Sequence, residues 1–107
     1  MNRAWLWAAF AMLLGCSRQA GSPLLALGSR FQSERDAYSL ARVVEAWPEA
    51  ADTSLLRQVL GAPDADMGFD YRYLLDSVGP GGCVVGAVFH INEHGLVDQQ
   101  WIGEICE

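Results

Sequence analysis

The sequence predicts an α+β domain in which two helices pack on one face of a three-stranded antiparallel meander, a two-layer ααβββ arrangement. Three observations predict it. Apolar residues recur at spacings of three and four between Ser33 and Leu60, the period of a helix that buries one face. From Phe69 the period becomes two, and the remaining runs are rich in β-branched and aromatic residues, as strands are. Glycine-bearing turns separate those runs. With 107 residues in all, there is room for one small domain at most.

The first element is not part of that domain. Met1, Asn2 and Arg3 give a short cationic start, and Ala4 to Leu14 form an apolar run of eleven residues. As a helix it would cover about 17 Å against a bilayer core of about 30 Å, so residues 1–15 read as a signal peptide rather than a span. Leu13-Leu14-Gly15-Cys16 resembles the lipobox of bacterial lipoproteins. The resemblance implies cleavage before Cys16 and acylation of it, a membrane attachment of more than one chain, and, with Ser17 rather than aspartate next, an outer-membrane location facing the periplasm.

Residues 16–32 read as a tether, broken by Gly, Ser and Pro, whose later part can dock on the domain. The domain proper is assigned to residues 33–107. Its first helix is expected to be capped by Ser33 with Asp36 three residues on, to bury Ala37, Leu40, Ala41, Val44 and Trp47, and to end at Pro48. Asp52 or Thr53 caps the second, Leu55, Leu56, Val59 and Leu60 form its buried side, and Gly61 with Pro63 stops it. After the PDAD turn, Phe69, Tyr71, Tyr73 and Leu75 alternate with more polar residues as a strand. Cys83 to Ile91 and Leu96 to Ile105 supply two more.

Between the last two strands stands HINEHG, residues 90–95, whose first five letters fit a zinc-peptidase pattern. That pattern needs His90 and His94 on one helical face. On a strand they stand about 13 Å apart, far beyond a shared zinc bound at about 2.1 Å, and no third ligand is evident. A hairpin accounts for the same residues, with Glu93-His94-Gly95 as the loop and Gly95 left-handed. It pairs Ile91 with Val97, Phe89 with Gln99, Ala87 with Trp101, Val85 with Gly103 and Cys83 with Ile105 on the core face, and His90 with Asp98 outside. No metal and no cofactor are expected.

Cys83 and Cys106 are the cysteines left after Cys16. In a small exported domain they are expected to form a disulfide. Directly opposed cysteines need the register shifted by one, so a bulge is expected, placed near Gly103. The outer sheet face would then carry Val84, Val88, Leu96 and Ile102, a candidate partner surface. Two occupants are open for it: a protein partner, or the chain's own Leu24 to Phe31.

TSLLRQVLGAPD, FDYRYLL and AVFHINEHGLV resemble the SmpA/OmlA family, the BamE-like outer-membrane lipoproteins. There a short helix ends in LG-x-P, an aromatic strand follows, and a later strand ends in phenylalanine, a polar glycine turn and valine. The matching positions are Leu60, Gly61, Pro63, Tyr71, Tyr73, Phe89, Gly95 and Val97, and the resemblance spans about Leu40 to Val97. PEAADT keeps only the threonine of the family's Gly-Met-Thr turn, and the cysteine pair is not a general family feature. The resemblance implies a non-enzymatic role in assembling β-barrel proteins, with an envelope component as protein partner.

Charge narrows the partners further. Seven basic residues, all arginine, face thirteen acids, a formal −6; loss of Arg3 with the signal leaves 6 against 13, or −7, for residues 16–107. Nucleic acid is excluded on that balance. No serine, histidine and carboxylate stand in supporting positions, and no glycine loop opens a helix as a phosphate cradle. A binding or scaffold module is the expectation. The alternatives are a periplasmic inhibitor or ligand-binding lipoprotein sharing only the fold, and a small hydrolase.

Overall fold

The structure, a computed structural model, describes residues 22–106. The signal peptide, Cys16 and the start of the tether lie outside the described residues. Helices α1 (Ser22–Glu34), α2 (Ala37–Glu45) and α3 (Thr53–Leu60) precede strands β1 (Ala65–Asp66), β2 (Asp70–Val78), β3 (Val84–Ile91) and β4 (Val97–Ile105). The strands form one antiparallel sheet in chain order, and the helices pack on one of its faces. Helix α1 and strand β1 are additions to the predicted ααβββ plan.

Helix α1 replaces most of the expected tether. Leu24, Leu27 and Phe31 fall three and four apart and pack on the core, so the segment turns its apolar stripe toward α2 and α3. It does not cover the outer sheet face. A Cβ on Gly28 would stand 2.0 Å from the Val59 carbonyl oxygen, so glycine is what lets α1 and α3 meet this closely. Gln32 secures the contact by donating from Nε2 to Val59 O at 2.8 Å.

Arg35 ends α1 in a left-handed conformation, φ 53°, which costs a non-glycine residue about 1–2 kcal/mol. Its surroundings hold it there. The Arg35 amide donates to Phe31 O at 2.7 Å, and its guanidinium grips Asp64 through two 3.0 Å bonds. The same group reaches Leu74 O at 3.2 Å and lies 4.8 Å over the Phe31 ring.

Asp36, not Ser33, caps α2, accepting from the Ser39 amide at 2.9 Å; Ser33 lies inside α1, where its hydroxyl donates to Arg30 O. Burial raises the Asp36 carboxyl, but the Ser39 amide and nearby Arg30 outweigh it and hold the group below its ordinary value. The later start turns the helix, so Ser39, Leu40 and Val43 are buried with Trp47 beyond its end. Ala41 and Val44 are only partly covered and Ala37 is exposed. Helix α3 follows the expectation. Asp52 accepts from the Leu55 amide at 3.2 Å, and Gly61, φ 83°, closes it by donating its N–H to Arg57 O at 2.9 Å.

Tyr71, Tyr73, Leu75, Ala87, Phe89 and Ile91 form the sheet side of the core. Trp47 meets Phe89 edge-on at 5.3 Å, and Phe89 meets Tyr73 at 5.8 Å, the geometry aromatic quadrupoles favour. Tyr73 is fully buried, and its hydroxyl donates to Gly61 O at 2.8 Å. Burial drives its acidity well above the ordinary phenol value, so it stays neutral and tied to the end of α3.

The β3–β4 ribbon corrects the expected register. Ile91 opposes Val97 as read, but the shift comes at once, between His90 and Ile91, and His90 opposes Gln99. Asp98 is the extra residue. Beyond it Phe89 faces Gln100, Val88 faces Trp101, Ala87 faces Ile102 and Val85 faces Glu104. The bulge therefore sits beside the turn rather than near Gly103, where Gly86 and Gly103 pair regularly. This early shift brings Cys83 and Cys106 together as a disulfide with Cα atoms 5.2 Å apart. Trp101 moves from the expected core row to the outer face, 46% exposed, and Ile102 takes the inner position.

Candidate binding surface at the β4 edge

The four residues expected to form one outer patch do not share a surface. Val84 and Val88 are on the face away from the helices, as their register requires. Val88 is already 3% exposed, lying between Arg72 on β2 and Trp101 on β4. Ile102 packs toward the core, opposite Ala87. Leu96 sits at the turn, where it forms an isolated bridge with Asp52. The outer face is polar at its centre, with Asp70 and Arg72 paired at 3.6 Å.

The two histidines stand apart in role. His90 is on β3 with Nδ1 2.7 Å from Asp98 Oδ1. His94 is in the exposed turn, 3.6 Å from the Glu93 carboxylate. Asn92 shapes that turn by accepting from the amides of His94 and Leu96 at 2.9 and 3.1 Å, and Gly95 is left-handed at φ 78°. Among the described residues the one grouping with metal-ligand spacing is Cys83, Glu104 and Cys106. Both sulfurs are committed to each other. Glu104 is also occupied, accepting from the Gly81 amide at 2.8 and 3.0 Å and from the Cys83 amide at 3.1 Å.

What the sequence reading missed is a cleft at the other end of the ribbon. Past α2, residues 47–50 run beside the start of β4, and Ala51 and Asp52 pair with it: the Val97 amide donates to Ala51 O at 2.7 Å and Asp52 bridges Leu96. A cleft of about 340 Å³ opens between the two segments. Trp47, Pro48, Leu96 and Val97 supply its apolar walls, and Glu49 and Asp98 also line it, the Asp98 carboxylate being held by His90. No cationic side chain lines it. Trp47 is 7% exposed, and its indole N–H has no hydrogen-bond partner among the described residues, an omission that buried donors rarely show. Ala50, on the rim, has φ 58°.

Pro48 and the PEAADT stretch carried the available signal: it fills most of the seven residues between the two helices, with two acids and no turn glycine. What they could not convey was their position along a strand edge. No family model, curated protein or solved structure matches this chain. Among the described residues no helix is long and apolar enough to cross a membrane.

Proposed function

We propose that this protein is a lipid-anchored outer-membrane lipoprotein facing the periplasm, acting as a non-enzymatic binding or scaffold module of the SmpA/OmlA, BamE-like kind in envelope or β-barrel protein assembly. The observation that carries the reading is the conjunction of Leu13-Leu14-Gly15-Cys16 with a domain whose other two cysteines are joined. Disulfides persist in exported proteins and are rare in reducing compartments. Support for a binding role comes from how the polar side chains are used. Asp64, Asp70, Asp98 and Glu104 each hold a structural partner rather than converging on a vacant reaction centre.

Two measurements test the reading. Metabolic labelling with an alkyne fatty acid should mark the wild-type chain in outer-membrane fractions and leave Cys16→Ser unlabelled; label absent from the wild type removes the anchor. In-cell crosslinking with mass spectrometry should then recover barrel-assembly components, and their consistent absence removes the assembly role. The cleft favours one alternative, a periplasmic inhibitor or ligand-binding lipoprotein. A tight soluble partner, retained by protein lacking its acyl chains, would select it.

A further inference from the structure

We infer that the first two turns of α1 rest in the surface of the membrane that carries the acyl anchor, with Leu25 as the inserting side chain. This deepens the proposed lipoprotein reading and rests on it. Pro23, Leu25 and Ala26 are exposed, Leu25 by 41%, while Leu24, Leu27 and Phe31 turn the other side of the helix to the core. Residues 23–27 are thus apolar all round, a pattern that suits a helix end covered on both sides rather than one facing water.

The length of chain ahead of α1 says what covers the second side. Ser22 stands six residues beyond Cys16, and six residues of chain reach at most about 20 Å. Leu25 follows within one helical turn, about 5 Å more. Whatever path the intervening residues take, acyl chains on Cys16 keep these turns within about 25 Å of the lipid. The next exposed large apolar side chain along the chain is Tyr38, which the whole of α1 separates from the anchor.

Charge orients the domain the same way. Residues 16–33 hold Arg18 and Arg30 and no acid, a formal +2, whereas residues 34–107 hold four arginines against thirteen acids, a formal −9. A surface bearing anionic headgroups repels the acidic remainder and leaves the amino-terminal end as the side that meets it. Arg30 is 55% exposed but shares its charge with Glu34 and Asp36 at 3.6 and 3.8 Å, so burial of Leu25 is the main attraction. A second copy of this chain fits poorly. Pro23, Leu25 and Ala26 are a small patch against the roughly 20–30 residues a side that a stable interface uses.

The test uses the full-length chain as cells process it, with acylation of Cys16 read by mass spectrometry, in vesicles of mixed phosphatidylcholine and phosphatidylserine. A nitroxide is attached at Leu25→Cys and, as the control, at Tyr38→Cys; both positions are exposed, so the fold tolerates the label. Power saturation with oxygen and with a water-soluble nickel chelate should place the label at position 25 about 5–10 Å below the headgroup boundary and the label at position 38 in water. With the label moved to Ala26→Cys, adding Leu25→Asp should return it from lipid to water. A label at position 25 as open to nickel as the one at position 38, or an unchanged depth with Leu25→Asp, would overturn the contact. Spin–spin broadening between labels at position 25 without lipid exposure would give these turns to a second copy and overturn it as well. An unacylated Cys16 would remove the lipoprotein reading and the contact with it; acylated protein whose position 25 stays in water would remove the contact alone.

Discussion

The two ends of the β3–β4 ribbon are built on opposite plans. At one end Cys83 is bonded to Cys106, and the Gly81 and Cys83 amides close on the Glu104 carboxylate. A Cβ at Gly79 would lie 2.3 Å from Glu104 Cγ, so the loop has no slack around it. The other end has a bulge at Asp98, which is held by His90, an exposed turn, and a cleft walled by Trp47 with Glu49 on its rim. Such a division leaves one end to fix the ribbon and the other to border the cleft. Local stability is commonly lower where a surface must receive a partner.

Breaking the closed end should have the largest effect. The paired replacement Cys83→Ser with Cys106→Ser releases a loop with a sequence separation of 23 and should cost about 3 kcal/mol on the chain-entropy model. Urea unfolding checks this as a lower midpoint, with a steeper slope as the freed denatured chain exposes more surface. If the loss were under about 1 kcal/mol, the disulfide would not be what distinguishes the ends. Second in size is Glu104→Gln, which removes the charge that accepts three hydrogen bonds from the Gly81 and Cys83 amides and should cost about 1–2 kcal/mol. Retention of wild-type stability would show that water replaces the carboxylate without loss.

How much of this was legible follows from the same contrast. The disulfide and the Gly95 turn could be read because each depends on a few residues: two cysteines in a small domain, one glycine after a polar pair. The register could not. Matching apolar rows favoured Ala87 opposite Trp101, whereas the structure satisfies both the disulfide and the core by adding one residue at Asp98. Trp101 can face outward because β4 is an edge strand, while Ile102 serves the core instead. Helix α1 was hidden by Pro23, Gly28 and its serines, which look like linker. Leu24, Leu27 and Phe31 at helical spacing were the sign that it folds, and Gly28 is where it touches Val59. The SmpA/OmlA resemblance concerned α3, the aromatic strand and the turn, and offered nothing on the β4 edge.

The turns themselves should not distinguish the two ends. Gly82 at the closed end and Gly95 at the open end have φ of 88° and 78°, and a Cβ at either meets nothing within 4 Å. Alanine at each position is therefore penalised by backbone conformation alone, about 1 kcal/mol in both cases. Parallel denaturation of Gly82→Ala and Gly95→Ala checks the symmetry. A cost at Gly82 well above that at Gly95 would show that the disulfide makes its loop less able to adjust, and the contrast between the ends would then extend to their turns.

Glu49→Lys should have the smallest effect on stability and thereby sharpens the comparison most. Glu49 is exposed, and no hydrogen bond or ion pair holds it among the described residues, so its replacement should leave unfolding within about 0.5 kcal/mol of wild type. A lysine there lowers the chain's net negative charge of −6, so a slight gain is the expected sign. Thermal unfolding checks it. A loss of about 2 kcal/mol or more would mean that Glu49 supports the rim at Ala50, and the open end would then be structural as well.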